Sequence, residues 1–168
     1  VSYGNGYELI IGNSGMIQAT LYDNSSETPF YATSEGGDGN EVANGNWHTV
    51  YAVFDRDGSG IIYLNGVAGP GVELGQQGDL NSNYDFKIGS HSSMDSRSFD
   101  GLIESVSIWS SALTQTQIQS QTDPSSQDLI ANWKFDSGSG DILYDHSGNQ
   151  NHGTINGATW STDVPIWG

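Results

Sequence analysis

The stretch that decides the fold is Asn46–Gly66, which reads NWHTVYAVFDRDGSGIIYLNG. Its first half, Val50–Phe54, has the two-residue period and the β-branched and aromatic side chains of a sheet strand. Residues 55–60 contain Asp-Gly and Ser-Gly pairs, which tolerate the positive φ angles of tight turns. Ile61–Leu64 is then predicted to form the return strand, which ends at the turn residues Asn65-Gly66. The stretch therefore predicts a β-hairpin within an antiparallel sheet.

The rest of the chain repeats this pattern of short strands and turns. Tyr7–Gly12 and Met16–Asp23 flank a turn signal at 13–15 and predict a first hairpin. Further strands are predicted at Phe30–Thr33, Val72–Leu74, Phe86–Gly89, Leu102–Trp109, Leu129–Phe135 and Gly153–Trp160. The strand positions of Trp109 and Trp133 predict that both rings are buried.

The helix signal is short and occurs once, at Ser111–Ile118, with Thr114 as its N-cap. At least eight short strands, one short helix and turns at regular spacing are typical of an all-β protein. The predicted fold class is an antiparallel β-sandwich.

Composition and charge exclude several functions. The 168 residues suit one domain, and a hydrophobic content of 35% is enough for a core. Twenty acidic residues face four basic ones, giving a net charge of −16. Nucleic acid and anionic membrane surfaces are therefore excluded as partners, because both are bound through clustered Lys and Arg. The absence of cysteine excludes disulfides and thiolate metal sites, and no apolar run is long enough for membrane insertion.

Several motifs occur in the order and spacing of a known family: Trp47–Val50, Tyr63–Gly66, Ile88-Gly89, Phe99–Val106 and Ala112–Thr114. Together they resemble bacterial laminin G-like domains, which belong to the concanavalin A-like lectin and glucanase superfamily. Residues 129–160 resemble the segment that commonly borders such domains. The resemblance covers most of the chain and implies a jelly-roll sandwich, but it says little about the ligand.

The resemblance also predicts the domain organisation. We expect a single domain over 1–168, with a body at 1–122 and a C-terminal strand segment at 123–168. The family's front strands have no counterpart before Val1, so either the chain is part of a longer polypeptide, which is the interpretation we adopt, or another chain completes its sheet. We expect the gap, bordered by Ile10, Val53 or Ile103, to be covered by another chain, by a second copy, or by Leu129–Trp160 folding back.

The sequence carries no catalytic motif. The related glucanases use a Glu-x-Asp-x-x-Glu strand, whereas Glu104 stands alone on its strand. A Gly-x-Ser-x-Gly elbow is also missing, and the four histidines lack the spacing of a metal site apart from a loose 146/152 pair. We therefore expect no enzyme activity, with a glycan-active enzyme as the minority alternative.

Calcium is the expected cofactor, because loops rich in carboxylate and amide oxygens suit this hard cation. The best candidates lie in the loop 145–151, where Asp145, Asn149 and Asn151 could surround an ion. Asp95 and Asp100 could contribute to the same site or to a second one. Asp55 and Asp57 resemble the start of an EF-hand loop, although a plain hairpin turn is the alternative. For all of these loops, ordinary solvation is the alternative interpretation.

A sugar-binding surface requires aromatic platforms beside polar side chains. The candidate ligand-binding residues are Tyr3, Tyr7, Tyr31, Tyr84 and His91. We therefore expect a non-catalytic carbohydrate-binding, lectin-like or adhesion module of a secreted or cell-surface protein, with a glycan or another extracellular ligand as partner. The main alternative is a structural or assembly module that is completed by another chain of the same or the parent protein.

Overall fold

The computed structural model describes residues 6–12, 15–23, 27–31, 42–75, 78–91, 98–120 and 128–165, with the backbone alone at 27–31. Eleven strands and one helix lie in these ranges. All strands that pair with one another in these ranges run antiparallel. The predicted antiparallel β-sandwich with one short helix is confirmed.

The first sheet contains three strands in the order β1 (Gly6–Ile11), β2 (Ile17–Tyr22) and β3 (Glu27–Tyr31). The predicted first hairpin is therefore confirmed. The connecting turn is closed by Gly12, whose carbonyl accepts the N–H of Gly15 at 2.9 Å and whose N–H donates to the carbonyl of Met16 at 2.8 Å. β3 begins three residues before the predicted strand at Phe30–Thr33.

The second sheet is built on the predicted central hairpin. Its strands are β4 (Val50–Phe54), β5 (Ser59–Leu64), β6 (Val67–Ala68) and β7 (Val72–Glu73), and both β6 and β7 pair with β5. The turn between β4 and β5 is closed by the N–H of Gly58, which donates to the carbonyl of Asp55 at 2.9 Å. Two-residue β6 gave no signal in the sequence, whereas β7 was predicted.

The main core lies between these two sheets. Side chains of β2 pack against alternate side chains of the second sheet. The buried residues of this core are Ile17, Ala19, Leu21, Ile62 and Leu74. Their burial removes apolar surface from water, which is the main favourable term in folding. The two sheets are therefore held face to face, as a sandwich requires.

The opposite face of the β4–β5 hairpin is covered by helix α1 (Gln115–Ser120). Ile118 of the helix packs with Tyr63 and Leu113, and Tyr51 and Trp109 adjoin this second core. Thr114 caps the helix as predicted: Gln117 N–H donates to Thr114 Oγ1 at 3.3 Å, and Thr114 N–H donates to Gln117 Oε1 at 2.8 Å. This reciprocal pair forms a capping box.

A third core joins the C-terminal segment to the body. β8 (Val106–Trp109) pairs with β9 (Leu129–Trp133), so Ile108 lies opposite Ala131. Trp133 is buried with Ala131 and Leu143, as its strand position predicted, while Trp109 is only partly buried. β10 (Ile142–Leu143) and β11 (Gly153–Thr154) form a small separate ladder.

Three strand predictions need correction. Phe86–Gly89 lies outside every strand, because its nearest ladder contact is the isolated bridge between Ser90 and Ser98. The strand predicted at Leu102–Trp109 is shorter and begins at Val106, and the last strand ends at Thr154 rather than Trp160. In the last two cases only part of the predicted segment pairs with a partner strand, and for Phe86–Gly89 no pairing with a strand of the described residues is present. None of the described helices has the length and hydrophobicity to cross a bilayer.

Candidate functional site

The Asp145 loop, residues 145–151, is a densely hydrogen-bonded polar structure in the C-terminal segment. Asp145 is 8% exposed, and both of its carboxylate oxygens accept hydrogen bonds. Oδ1 accepts from the backbone N–H of Asn132 at 2.9 Å and of Ser147 at 2.8 Å. Oδ2 accepts from the Ser147 hydroxyl at 2.8 Å and from the N–H of Asn151 at 2.9 Å. One carboxylate therefore connects the loop to strand β9.

These four donors also determine the charge of the group. Burial of the Asp145 carboxyl opposes its ionisation, but the hydrogen bonds from the backbone of Ser147, Asn132 and Asn151 and from the Ser147 hydroxyl outweigh that effect. The pKa of Asp145 is lowered to about 2. The group is therefore an anion at neutral pH, with its lone pairs directed at the chain's own donors.

The amide side chains of the same loop also bind the β9 backbone. The Asn149 Nδ2 donates to the carbonyl of Leu129 at 2.8 Å, and the Asn151 Nδ2 donates to the carbonyl of Ile130 at 2.9 Å. Both residues are exposed. The structure thus brings the predicted set Asp145, Asn149 and Asn151 together, in an arrangement that supports β9.

The remaining predicted cation ligands lie elsewhere. Asp55 and Asp57 share the β4–β5 turn, where Asp55 Oδ1 accepts the N–H of Asp57 at 3.2 Å. Asp100 is exposed and belongs to neither group, and Asp95 lies outside the described residues. Within the ranges that the structure describes, no group of three or more His, Asp or Glu side chains could hold a metal ion.

An aromatic surface, formed by Tyr7 and Phe86, lies at the side of the sandwich. The ring centroids are 6.4 Å apart, and the two side chains are 49% and 51% exposed. Phe54 supports the Tyr7 ring at 6.2 Å, and Trp133 stacks on the Phe86 ring at 5.6 Å. Desolvation of the partly covered phenol raises the pKa of Tyr7. Two rings are therefore held open to solvent by buried or half-buried aromatic neighbours.

Polar side chains lie on the face of strand β1 that is opposite to the Tyr7 ring. Glu8 follows Tyr7 and so lies on the other face of the strand. Its Oε1 accepts the hydroxyl of Tyr22 at 2.6 Å, and its Oε2 lies 3.6 Å from the Nε2 of His91. Of the predicted ligand residues, Tyr7 therefore lies on one face of β1, and His91 contacts the opposite face through Glu8.

The other predicted ligand residues are distributed differently. Tyr84 is 56% exposed and precedes Phe86 by two residues. Tyr31 ends β3, but its side chain lies outside the described part of the chain, as does the whole of Tyr3. Sequence reasoning missed Phe86, which was assigned to a strand. Its position between Asp85 and Lys87, in a polar run, was the available signal for an exposed aromatic side chain.

Residues 1–119 match the laminin G-like family model of the concanavalin A-like lectin/glucanases superfamily. Neither a curated protein nor a solved structure matches the chain. The match covers more than half of the sequence and agrees with the antiparallel sandwich described above, so the predicted family is confirmed. The chain belongs to the laminin G-like family of the concanavalin A-like lectin/glucanase superfamily.

Proposed function

We propose that this chain is a non-catalytic carbohydrate-binding or adhesion module of a secreted or surface-displayed, bacterial protein. Membership of the superfamily fits such a module. The observation that supports the proposal most directly is the aromatic surface of Tyr7 and Phe86, with about half of each side chain exposed. Sugar rings present apolar C–H faces that pack on aromatic rings, while neighbouring polar groups bind their hydroxyls.

The chemistry of the carboxylates supports a binding role rather than catalysis. A glycoside hydrolase needs one carboxyl as an acid and a second one about 5 to 10 Å away as nucleophile or base. Asp145, the most buried carboxylate of the described segment 128–165, has a pKa of about 2 and four hydrogen-bond donors on its oxygens. A group with these properties does not donate a proton at neutral pH, and its oxygens already accept hydrogen bonds from the chain's own donors.

Calcium stabilisation is a finer part of the proposal. An ion at the Asp145 loop would have to displace hydrogen-bond donors such as the N–H of Asn151 from the carboxylate, because both oxygens already accept two bonds. Asn149 and Asn151 could offer amide oxygens, but calcium prefers six to eight oxygen ligands. The described residues therefore do not explain a calcium site, and calcium binding stays a prediction.

Glycan binding tests the proposed function. The full chain is applied to an array of neutral and acidic glycans, together with a Tyr7→Ala variant. We expect a signal that Tyr7→Ala weakens about tenfold, because stacking on one aromatic ring contributes about 1 kcal/mol or more. Tyr144→Ala is the matched control, since Tyr144 is 48% exposed and contacts His152 rather than the aromatic surface. No binding to any glycan would contradict the proposal.

A second candidate function, assembly with another chain, is favoured by a separate observation. Leu9 and Ile11 of β1 are 48% and 42% exposed, although their cross-strand partners Ala19 and Ile17 are almost fully buried. The sandwich thus leaves the core-facing side of β1 partly uncovered, and exposed apolar strand faces are typical of interaction sites. Light scattering of the full chain and of Leu9→Ser tests this function. An oligomer that Leu9→Ser dissociates supports assembly, and a monomer contradicts self-assembly.

A further inference from the structure

A cavity of about 320 Å³ lies between the β4–β5 hairpin and helix α1. One wall consists of Tyr51 of β4 and Thr49, which immediately precedes that strand. Asn65 and Gly66 contribute the turn after β5, and Gln119 contributes the helix side. Ile118, which is 2% exposed, contributes apolar surface. The cavity is on the face of the hairpin that packs against the helix, whereas Phe54, which supports the aromatic surface, faces the main core. The two surfaces are therefore separate.

The polar groups of the cavity are held in place before any ligand binds. Asn65 Oδ1 accepts the N–H of Thr49 at 3.0 Å, and its Nδ2 lies 3.2 Å from Nδ1 of His48. The Gln119 Nε2 donates to the carbonyl of Gly66 at 3.2 Å, which leaves its Oε1 available as an acceptor. Polar groups that are already fixed lower the side-chain entropy that the protein loses when a ligand binds.

The aromatic wall is fixed as well. The Tyr51 ring lies 6.2 Å from the ring of Trp109 at an interplanar angle of 31°, and both rings adjoin the second core. An aromatic ring beside amide and hydroxyl groups is the combination that binds the apolar face and the hydroxyls of a sugar at the same time.

The charge and size of the cavity define the class of ligand. No charged side chain lines it, so a charged ligand would have no partner, and the net charge of −16 disfavours an anion further. Its volume is at the lower end of the roughly 300 to 1,000 Å³ of small-molecule sites. We propose that this cavity binds a single neutral sugar ring, such as the end residue of a glycan. The proposal rests on the proposed function and adds a second subsite to it.

The test is an NMR titration of the ¹⁵N-labelled full chain with methyl glycosides of glucose, galactose and mannose. We expect the backbone amide of Gly66 and the side-chain amide of Gln119 to shift with at least one of them. Gln119→Ala and Thr49→Val should each raise the Kd about three- to tenfold, which corresponds to the loss of one hydrogen bond. Gln115→Ala is the matched control, because it changes an exposed glutamine of the same helix outside the cavity.

The outcomes separate this site from the proposed function. The cavity site would be contradicted if the NMR shifts were confined to residues around Tyr7 and Phe86. It would also be contradicted if Gln119→Ala left the Kd unchanged. Either result would still be consistent with carbohydrate binding by the chain. The cavity site is supported if Gln119→Ala and Thr49→Val lose affinity for the glycoside while Tyr7→Ala keeps the affinity of the parent chain. If no glycoside shifts any signal and the array also shows no binding, both proposals fail together. Spectra of each variant without ligand establish that its fold is retained.

Discussion

The indole Nε1 of Trp133 donates a hydrogen bond to the backbone carbonyl of Asn151 at 2.8 Å, which joins the ring of a core residue to the Asp145 loop. The Nε1 of Trp109 is buried as well, but it has no hydrogen-bond partner among the described residues. The two tryptophans therefore differ in what their indole nitrogens contribute to stability.

We expect Trp133→Phe to destabilise the domain more than Trp109→Phe. The first change removes a hydrogen bond and leaves the Asn151 carbonyl unsatisfied, which costs about 1 to 3 kcal/mol besides the lost packing. The second change removes a buried donor that is already unsatisfied, so it costs less. Urea unfolding of both variants measures the difference, and equal losses would contradict this interpretation.

The stability cost of replacing Asp145 should depend on pH. Because the folded pKa of about 2 lies below the ordinary value of 3.8, the contribution of Asp145 is fully present above that value and is lost as the pH falls through it to about 2. Asp145→Asn leaves donors of Ser147 and Asn151 without an acceptor and should cost about 2 kcal/mol at pH 7. This difference in the free energy of unfolding between the parent chain and the variant should shrink towards pH 2. Asp163→Asn, at an exposed position, is the control, and an equal loss at both pH values would contradict the assignment.

Calcium binding is tested by melting the chain with calcium and with a chelator. If an ion binds, saturation at 100 times its Kd adds about 2.7 kcal/mol to the free energy of unfolding, so the chelator lowers the melting temperature by several degrees. Asp145→Asn discriminates the sites: a calcium effect that persists in this variant lies outside the Asp145 loop. Identical melts with and without chelator would rule out calcium stabilisation.

The capping box of helix α1 predicts a moderate effect of Thr114→Ala. The change removes the side-chain acceptor of the Gln117 N–H and should cost about 1 kcal/mol. Thr116→Ala, within the same helix, is the control, because alanine has the higher helix propensity and should leave stability equal or higher. A Thr114→Ala variant as stable as the parent chain would show that the cap is unimportant.

Truncation after residue 122 should abolish the cooperative melting of the domain. β8 would lose its partner β9, and the third core would lose Ala131, Trp133 and Leu143. We expect 1–122 to show a broad transition and weak near-UV circular dichroism. A sharp transition at the temperature of the full chain would establish instead that the body at 1–122 folds alone.

The structural elements that sequence reasoning predicted well are those with local partners. The β4–β5 hairpin carries both its period and its turn signal within 21 residues, and helix α1 carries its own cap at Thr114. Phe86–Gly89 alternates as clearly, yet it pairs with no strand among the residues that the structure describes. Strand formation depends on a partner that local sequence does not reveal. The two-residue strands β6 and β10 gave no recognisable pattern in the sequence.

The candidate site was harder to predict for the same reason. A loop with Asp145, Asn149 and Asn151 has the composition of a cation site, and the same composition satisfies the backbone of β9. The donor from Asn132 comes from 13 residues away, so local sequence could not indicate that the Asp145 oxygens accept it. Tyr7 could be predicted as exposed, whereas its contact with Phe86 required the sheet to be assembled.

The pairing of β8 with β9 sets the order in which this chain can fold during synthesis. Both hairpins, β1–β2 and β4–β5, can close as soon as they leave the ribosome, because their strands are neighbours in sequence. β8 must wait until residue 133 emerges, and the Asp145 loop follows still later. In that interval Val106 and Ile108, which pack on Ala131, Trp133 and Leu143 in the folded chain, lack these partners in the nascent chain. A nascent chain that has emerged only to a point between residues 120 and 133 would therefore present this strand to a chaperone as a binding site.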